Sequence, residues 1–216
     1  MKLAIYGTGS SGLEMLELIM CSEELRSQWE ELVFIDDTKA PGLFHGCRML
    51  PFDEFSSEFQ VDEIEVIIAV GEPSARESLY NRVTGGGYRL GIIVHPTAVV
   101  SPTAVLKPGA VIKDSVSVSS GAVIGENVYV NGISLIGHGV VIGPHSQISS
   151  HAVIAGNTTV GTGVYVGISA CLRDHIEIGD YAVIAMGAVV MKSVRSHRTA
   201  MGNPAREIAE STQVFK

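Results

Sequence analysis

The stretch that decides the fold runs from Val123 to Ile142 and reads VIGENVYVNGISLIGHGVVI. An aliphatic residue recurs at every sixth position, and the spacing continues without an insertion from Val94 to Val190. An α-helix repeats every 3.6 residues and a strand every two, so neither alone produces this period. Short strands joined by turns and wound into a solenoid do. Three hexads per coil predict coils of about 18 residues, stacked at the strand spacing of roughly 4.8 Å.

A second column of small residues lies four positions after the aliphatic one. Eight of its 16 members are alanine, which predicts a cramped interior. The residue that follows the aliphatic position is repeatedly glycine, as at Gly125, Gly137, Gly143, Gly161, Gly167 and Gly179. We expect glycine there because the turn requires a backbone conformation that other residues avoid.

Composition excludes several classes of function. The 216-residue chain carries 23 acidic and 15 basic residues, a balance that disfavours nucleic-acid binding and anionic membranes. No apolar run is long enough to span a bilayer, so we expect no membrane insertion. The first 20 residues lack the layout of a signal peptide, and the three widely spaced cysteines suggest a reducing compartment. We therefore expect a cytoplasmic protein.

The first ninety residues carry a glycine-rich motif in an informative context. A predicted strand over residues 2–6 runs into Gly7-Thr8-Gly9-Ser10-Ser11-Gly12, and an amphipathic helix follows with one face formed by Leu13, Leu16, Ile19 and Met20. In this context the motif brings backbone close to a phosphate at a helix N-terminus. Further predicted strands cover residues 33–35 and 66–70, and a predicted helix covers 73–83. Asp36 and Asp37 end the second strand, where acids accept hydrogen bonds from a ribose or a base.

These patterns predict three regions. Residues 1–92 form a small Rossmann-like α/β domain, residues 93–192 form the solenoid, and residues 193–216 form a C-terminal segment. An NAD-dependent oxidoreductase is the competing interpretation of the glycine motif. The α/β domain is half the size of a full dinucleotide-binding domain, with no second half to hold a nicotinamide.

Further motifs connect the two domains to one family. They are Phe34-Ile35-Asp36-Asp37, Ala69-Val70-Gly71-Glu72, His95-Pro96, Ile136-Gly137-His138, Ala155-Gly156-Asn157 and Gly202-Asn203-Pro204-Ala205. With the opening GTGSSG, this combination resembles the sialic acid O-acetyltransferase-like family of hexapeptide-repeat acyltransferases. That family includes the nucleotide-amino-sugar N-acetyltransferases of the bacillosamine and perosamine pathways. The resemblance implies a left-handed parallel β-helix, a homotrimer, acetyl-CoA bound between neighbouring prisms, and no metal.

The resemblance also implies roles for individual residues. His138 matches the catalytic base, and Gly156 matches the glycine whose N–H faces the thioester oxygen. Asp36 and Asp37 match acids that contact the nucleotide, beside Gly7 and Gly9, and Asn131 matches a residue that faces the sugar. We expect acetyl-CoA to contact Gly156, Gly161, Lys192 and Arg195. The last two belong to a basic cluster with Arg198 that would attract phosphate.

Two departures from the family keep alternatives open. The acid that usually follows the catalytic histidine is replaced by Gly139, and a second histidine nine residues on is replaced by Gln147. The interpretation we favour is N-acetylation of a nucleotide-linked amino-deoxy sugar by acetyl-CoA. The alternatives are O-acetylation of a sialic acid or another sugar hydroxyl, and a non-catalytic trimer that binds a sugar nucleotide. A metal site of the γ-carbonic anhydrase type is disfavoured, because His145 and His151 point different ways and the histidine spacings do not match.

Overall fold

The computed structural model describes residues 1–210 and divides into two compact units. The first comprises Met1–Gly71 and Ser78–Gly91, and the second comprises Glu72–Glu77 and the chain from Ile92 onward. The first is the expected α/β domain, and the second is a left-handed parallel β-helix, so the predicted fold class is confirmed. The last six residues of the predicted C-terminal segment lie outside the described residues.

The first unit is built on one six-stranded sheet. Its strands are β1 (Lys2–Tyr6), β2 (Leu32–Ile35), β3 (Gly42–Phe44), β4 (Cys47–Leu50), β5 (Ile64–Ile68) and β6 (Arg89–Leu90). The helices are α1 (Ser10–Met20), α2 (Glu23–Arg26), α3 (Phe52–Glu58) and α4 (Pro73–Gly85), the last beginning in the second unit. The strand order is β3-β4-β2-β1-β5-β6, and every pairing is parallel except the β3–β4 hairpin. The carboxyl ends of β1, β2 and β5 therefore meet at one edge, which is where an open α/β sheet binds its ligand.

Local predictions for this unit are partly wrong. In α1 the buried side chains include Met15 and Leu18, while the predicted Met20 is 56% exposed. The buried stripe of α1 runs through Gly12, Met15, Leu16, Leu18 and Ile19, and Met20 lies outside it. The third predicted strand starts two residues earlier than expected and ends at Ile68, and α4 extends to Gly85.

The β-helix of the second unit has three flat faces of parallel two-residue strands. Face 1 contains β7 (Ile93–Val94), β10 (Val111–Ile112), β13 (Tyr129–Val130), β16 (Gln147–Ile148), β19 (Tyr165–Val166) and β22 (Val183–Ile184). Face 2 contains β8 (Val99–Val100), β11 (Ser117–Val118), β14 (Leu135–Ile136), β17 (Val153–Ile154), β20 (Cys171–Leu172) and β23 (Val189–Val190). Face 3 contains β9 (Val105–Leu106), β12 (Val123–Ile124), β15 (Val141–Ile142), β18 (Thr159–Val160) and β21 (Glu177–Ile178). Both predicted columns point inward and form its core.

The reason for the repeated glycines differs from the prediction. The glycines that follow the aliphatic column do not adopt positive φ; instead, a Cβ there would strike the next coil, as at Gly137, where it would lie 2.7 Å from the Gly156 nitrogen. The left-handed residues come two positions later in each turn, and include His145, Asn157 and Gly139. The glycines after the strands thus permit close stacking of the coils.

The β-helix does not end at residue 192 as the predicted boundaries had it. The strands β24 (Arg198–Gly202) and β25 (Ala205–Glu210) form an antiparallel hairpin, and β24 pairs in parallel with β22 to extend face 1. Within residues 1–210, no helix is both long and apolar enough to cross a membrane.

Candidate active site

His138 lies at an exposed corner of the β-helix, in the turn between β14 and β15. We call the turns that follow the face-2 strands the His138 corner; they comprise residues 119–122, 137–140, 155–158 and 173–176. Face-2 strands pair in register from coil to coil, so equivalent turn residues stack in columns. The column through His138 contains Ser120 before it, then Gly156 and Asp174 toward the C-terminal coils.

The imidazole of His138 rests against the backbone of Gly156. A Cβ at position 156 would lie 2.5 Å from Nε2 and 2.7 Å from Cε1 of the ring. The N–H of Asn157 donates to the His138 carbonyl at 2.8 Å, which fixes the two turns relative to each other. Within residues 1–210 of one chain, neither ring nitrogen has a hydrogen-bond partner. The imidazole of His138 is therefore exposed, with both ring nitrogens open to a ligand.

Gly156 places a free backbone donor beside this imidazole. Its carbonyl accepts a hydrogen bond from the His175 N–H at 3.2 Å, while its own N–H has no partner in the described part of the chain. The residues at the equivalent turn position in neighbouring coils also have a free backbone N–H. A free N–H at this position is therefore a property of the fold. What distinguishes position 156 is that a free N–H and the Nε2 of a histidine lie side by side.

Gly139 adopts a left-handed conformation, with φ of 64°. The backbone would accept a side chain, because His145 and Asn157 occupy equivalent turn positions with φ of 63° and 57°. The obstacle is the Asn157 amide, whose Oδ1 occupies the place that a Cβ at Gly139 would take. Asn157 therefore restricts the space for any side chain at position 139.

A cavity of about 350 Å³ opens at the carboxyl ends of β1, β2 and β5 in the first unit. Each glycine of the motif has a different task. Gly7 has φ of 112°, which bends the chain after β1. Gly12 contacts the Gly7 carbonyl so closely that a side chain would not fit, and a Cβ at Gly9 would meet nothing within 4 Å. The open Gly9 and the N-terminus of α1 face the cavity, as backbone must to receive a phosphate.

Asp36 lies at this cavity with both carboxylate oxygens engaged. Oδ1 accepts hydrogen bonds from the N–H of Thr38 at 2.9 Å and from its hydroxyl at 2.6 Å. Oδ2 accepts from the N–H of Thr8 at 3.2 Å and from the Thr8 hydroxyl. Burial alone would raise the pKa of Asp36, but these hydrogen bonds outweigh it and lower the pKa. Asp36 thus ties the glycine loop to the end of β2.

Asp37 has partners within the first unit as well. Its Oδ1 accepts from the N–H of Phe52 at 2.9 Å, and its Oδ2 accepts from the Tyr6 hydroxyl and from Arg82 Nη1 at 3.1 Å. Burial and the contact with Asp37 raise the pKa of Tyr6. Asp37 therefore stabilises the start of α3 while it lines the cavity.

The predicted acetyl-CoA contacts do not all lie at one place. Lys192 lines a cavity of about 460 Å³ at the C-terminal coil, together with Arg206. Arg195 is tied to Glu207, to which its Nε and Nη2 donate at 2.9 and 2.6 Å, and Arg198 lies in β24. Gly161 follows β18 and lies at the next corner, so one chain does not bring it to Gly156. These contacts remain predictions.

The remaining predicted residues lie away from His138 within one chain. Asn131 follows β13, at the opposite end of β14, and its Nδ2 donates to the Ile148 carbonyl at 3.2 Å. Gln147 lies on face 1. His145 is buried beside Asn127, and burial lowers the pKa of its imidazole. Residues 1–210 contain no group of three or more His, Cys, Asp or Glu side chains placed to hold a metal.

Sequence reasoning missed a buried arginine. Arg76 is fully buried, and its Nε and Nη2 donate to the Asn127 carbonyl at 3.1 and 2.5 Å. Its guanidinium lies over the ring of Tyr129, with 5.2 Å to the centroid. Burial lowers the pKa of Arg76 to about 10. No local pattern in the sequence predicts the burial of Arg76. The charged residues of helix α4 have the spacing expected of a solvent-exposed face.

It also missed Lys39 beside the glycine loop. Its Nζ lies 3.5 Å from the Thr8 carbonyl and 5.5 Å from the centroid of the Phe44 ring. The sequence feature that could have indicated it is the position of this lysine two residues after the paired acids. Its placement beside the glycine loop depends on the β3–β4 hairpin, which was not predicted.

Two family models match the chain. Residues 2–83 match the PglD N-terminal domain, and residues 121–156 match the bacterial transferase hexapeptide, a model of six repeats. No curated protein sequence matches the chain closely enough to count as a relative.

Solved structures match over nearly the whole chain. The acetyltransferase domain of PglB from Neisseria gonorrhoeae FA1090, solved with acetyl coenzyme A, is 28% identical, with a TM-score of 0.88 over 96% of this chain and 98% of that one. WeeI from Acinetobacter baumannii AYE is 26% identical, with a TM-score of 0.88 over 96% and 99% of the two chains. PerB from Caulobacter crescentus, solved with CoA and GDP-perosamine, shares the fold at 22% identity, with a TM-score of 0.85 over 97% and 98%.

Proposed function

Since this chain is an acyltransferase of the hexapeptide-repeat superfamily with a PglD-type N-terminal domain, we propose that it transfers an acetyl group from acetyl-CoA to the amine of a nucleotide-linked amino-deoxy sugar. The observation that carries the proposal is the contact between the His138 ring and Gly156, whose N–H is free. The similar PglB domain was solved with acetyl coenzyme A, which supports the same donor here.

In the proposed reaction the sugar amine attacks the thioester carbonyl. His138 removes the proton that the nitrogen loses as the carbon–nitrogen bond forms, because a neutral imidazole has a ring nitrogen that can accept it. The carbonyl oxygen becomes an oxyanion and accepts a hydrogen bond from the Gly156 N–H, a contribution of typically about 3 kcal/mol. The tetrahedral adduct then collapses, the carbon–sulfur bond breaks, and the leaving thiolate takes the proton from the imidazolium.

The acceptor's nucleotide would occupy the cavity of the first unit. The open backbone at Gly9 and the N-terminus of α1 would receive its phosphates, and the ammonium of Lys39 lies beside the same loop. Asp36 and Asp37 would meet the sugar or base at the rim, where they line the cavity. Since hydrogen bonds within the unit already occupy Asp36, a ligand hydroxyl would bind there by replacing the Thr8 or Thr38 hydroxyl.

The donor would follow the His138 corner toward the C-terminal coils. Lys192 comes two residues after Val190, as His138 comes two residues after Ile136, and those strands belong to the same face. Three coils separate them, or roughly 14 Å at the strand spacing. Lys192 and Arg206 at that distance offer positive charge to the phosphates of CoA. Arg195 offers less, because it is paired with Glu207.

We further propose a homotrimer in which face 2 is covered by a neighbouring chain. Its outward side chains include Val99, Leu135 and Val153, which are 70%, 43% and 37% exposed. Apolar side chains repeated along a flat sheet favour burial against another copy. Face 2 ends at the His138 corner, so a neighbour on this face would close one side of the active site.

A direct test measures release of free thiol from acetyl-CoA with UDP-, GDP- and dTDP-linked amino sugars. A thermal-shift screen with the same nucleotides identifies the base, because a ligand that binds the native state raises Tm by mass action. The proposal expects turnover with at least one acceptor, and a Tm increase with the matching nucleotide. If no amino-sugar nucleotide stimulates thiol release, the proposed function is wrong.

A further inference from the structure

We infer that Arg173 and Asp174 bind an amide of the pantetheine arm of the acyl donor; this inference rests on the proposed function. The two residues lie in the His138 corner, in the turn after β20. In-register pairing of β14, β17 and β20 places this turn two coils from His138, in the direction of Lys192. A donor that extends from His138 to Lys192 must pass them.

The side chains of this pair are available to a ligand. Arg173 Nε lies 3.4 Å from Asp174 Oδ1, and the side chains are 56% and 54% exposed. Asp174 Oδ2 also lies 3.8 Å from His175 Nε2. The pair is therefore half in solvent and contributes little to stability. Most of the guanidinium donors and the carboxylate lone pairs face outward.

The length of the pantetheine arm agrees with the spacing of the coils. From the thioester sulfur to the nitrogen of the farther amide is roughly 8 Å, counted as seven bonds at about 1.2 Å each. The turn that holds Arg173 and Asp174 is two coils, or roughly 10 Å, from that of His138. The same count of 13 bonds gives about 16 Å from the sulfur to the first phosphorus in a fully extended arm, and the three coils to Lys192 span roughly 14 Å.

The chemistry of the pair matches a secondary amide. Such an amide offers one N–H donor and one carbonyl acceptor. Asp174 supplies an acceptor for the N–H, and Arg173 supplies a donor for the carbonyl. The neighbouring turns carry Ala155-Gly156 in one coil and Met191-Lys192 in the other at the equivalent positions, so neither places an acid beside a base there. Among these three turns, the one that contains Arg173 and Asp174 is the one that places a carboxylate and a guanidinium side by side.

The test compares three donors with the full-length enzyme and a fixed acceptor. Acetyl-CoA carries amides and phosphates, S-acetylpantetheine carries amides alone, and S-acetyl-2-mercaptoethanol carries neither. We expect Asp174→Ala to raise KM at least about tenfold for both amide-bearing donors, as loss of one charge-assisted hydrogen bond predicts. KM for the mercaptoethanol thioester should not change. Lys192→Ala should raise KM for acetyl-CoA alone.

Glu177→Gln is the matched control, because Glu177 is an exposed acid of the same coil on face 3. It should leave KM for all three donors unchanged. If Asp174→Ala leaves KM for S-acetylpantetheine at the wild-type value, or raises KM equally for the donor without amides, the inference is wrong while the proposed function stands. If the wild-type enzyme turns over no thioester at all, the proposed function itself is wrong.

Discussion

Gly156→Ala tests the contact on which the proposed chemistry depends. The added methyl would lie 2.5 to 3.0 Å from three atoms of the His138 ring, whereas carbon contacts settle at about 3.5 to 4.0 Å. The ring must therefore move by about 1 Å. A displacement of that size between a base and its substrate costs about a hundredfold in rate, or about 2.7 kcal/mol. The backbone N–H is retained, so the variant tests the position of the base alone.

The assay is kcat with saturating acetyl-CoA and acceptor, with Tm measured on the same preparations. We expect kcat to fall about a hundredfold while Tm stays within about 4 °C of wild type, because the displaced side chain is exposed and free to rotate. Gly85→Ala adds the same methyl where the structure has nothing within 4 Å, and should leave both values unchanged.

A double variant sharpens the result. Without the ring there is nothing to displace, so Gly156→Ala combined with His138→Ala should be no slower than His138→Ala alone. A Gly156→Ala enzyme that keeps more than half of the wild-type kcat would refute the reasoning. So would a double variant whose two losses multiply.

Four further predictions follow from named contacts. His138→Ala should lower kcat by about 10² to 10⁴ and leave CoA binding, measured by calorimetry, nearly intact. Asp37→Ala should raise the acceptor KM and also lower Tm, because Tyr6 loses a hydrogen-bond acceptor. An unchanged Tm would contradict the stabilising role assigned to Asp37. The lowered pKa of Asp36 means that its carboxylate stabilises the fold fully above about pH 3.8, its ordinary value, and that this contribution is lost as the pH falls through the native pKa. The difference in urea midpoint between wild type and Asp36→Asn should therefore shrink in acid, and a constant difference counts against it. Gly139→Asp should lower Tm, because the new side chain must displace the Asn157 amide and adopt a left-handed φ. In the folded variant the rate gap between amine and hydroxyl acceptors should narrow, because an acid there stabilises the imidazolium; an unchanged gap in a folded variant argues that an acid at this position does not polarise the base.

The β-helix was predictable from the sequence, because few folds other than a solenoid repeat every six residues. The hydrophobic columns predicted both the three-faced coil and its inward side chains. What periodicity did not reveal was the cause of each glycine. Gly137 is required by the backbone of the next coil, a contact between residues 19 apart, whereas Gly139 has the left-handed φ. A preference for glycine at a position does not by itself show whether a side chain is excluded by a neighbouring coil or by a left-handed backbone conformation.

The candidate site was partly within reach of the sequence. The family motif indicated His138 and Gly156, and the structure shows the ring against that glycine. The family motif did not indicate that Thr8 and Thr38 donate hydrogen bonds to both carboxylate oxygens of Asp36. It also did not indicate that Arg195 forms an ion pair with Glu207. Thr8 is 28 residues from Asp36 in the sequence, and Glu207 lies on a hairpin that was not predicted. Single charged residues carry no local signal of what they will contact.

The most direct test of the central claim is the product formed from acetyl-CoA and matched acceptors. Nucleotide-linked amino-deoxy sugars are compared with the analogues that carry a hydroxyl in place of the amine, and products are identified by mass spectrometry and fragmentation. The account predicts one added acetyl group on the sugar nitrogen, formed at least about tenfold faster than any O-acetylated product, because an amine needs the base only after attack. Equal rates for the two acceptors, or acetyl transfer by His138→Ala at the wild-type rate, would contradict it.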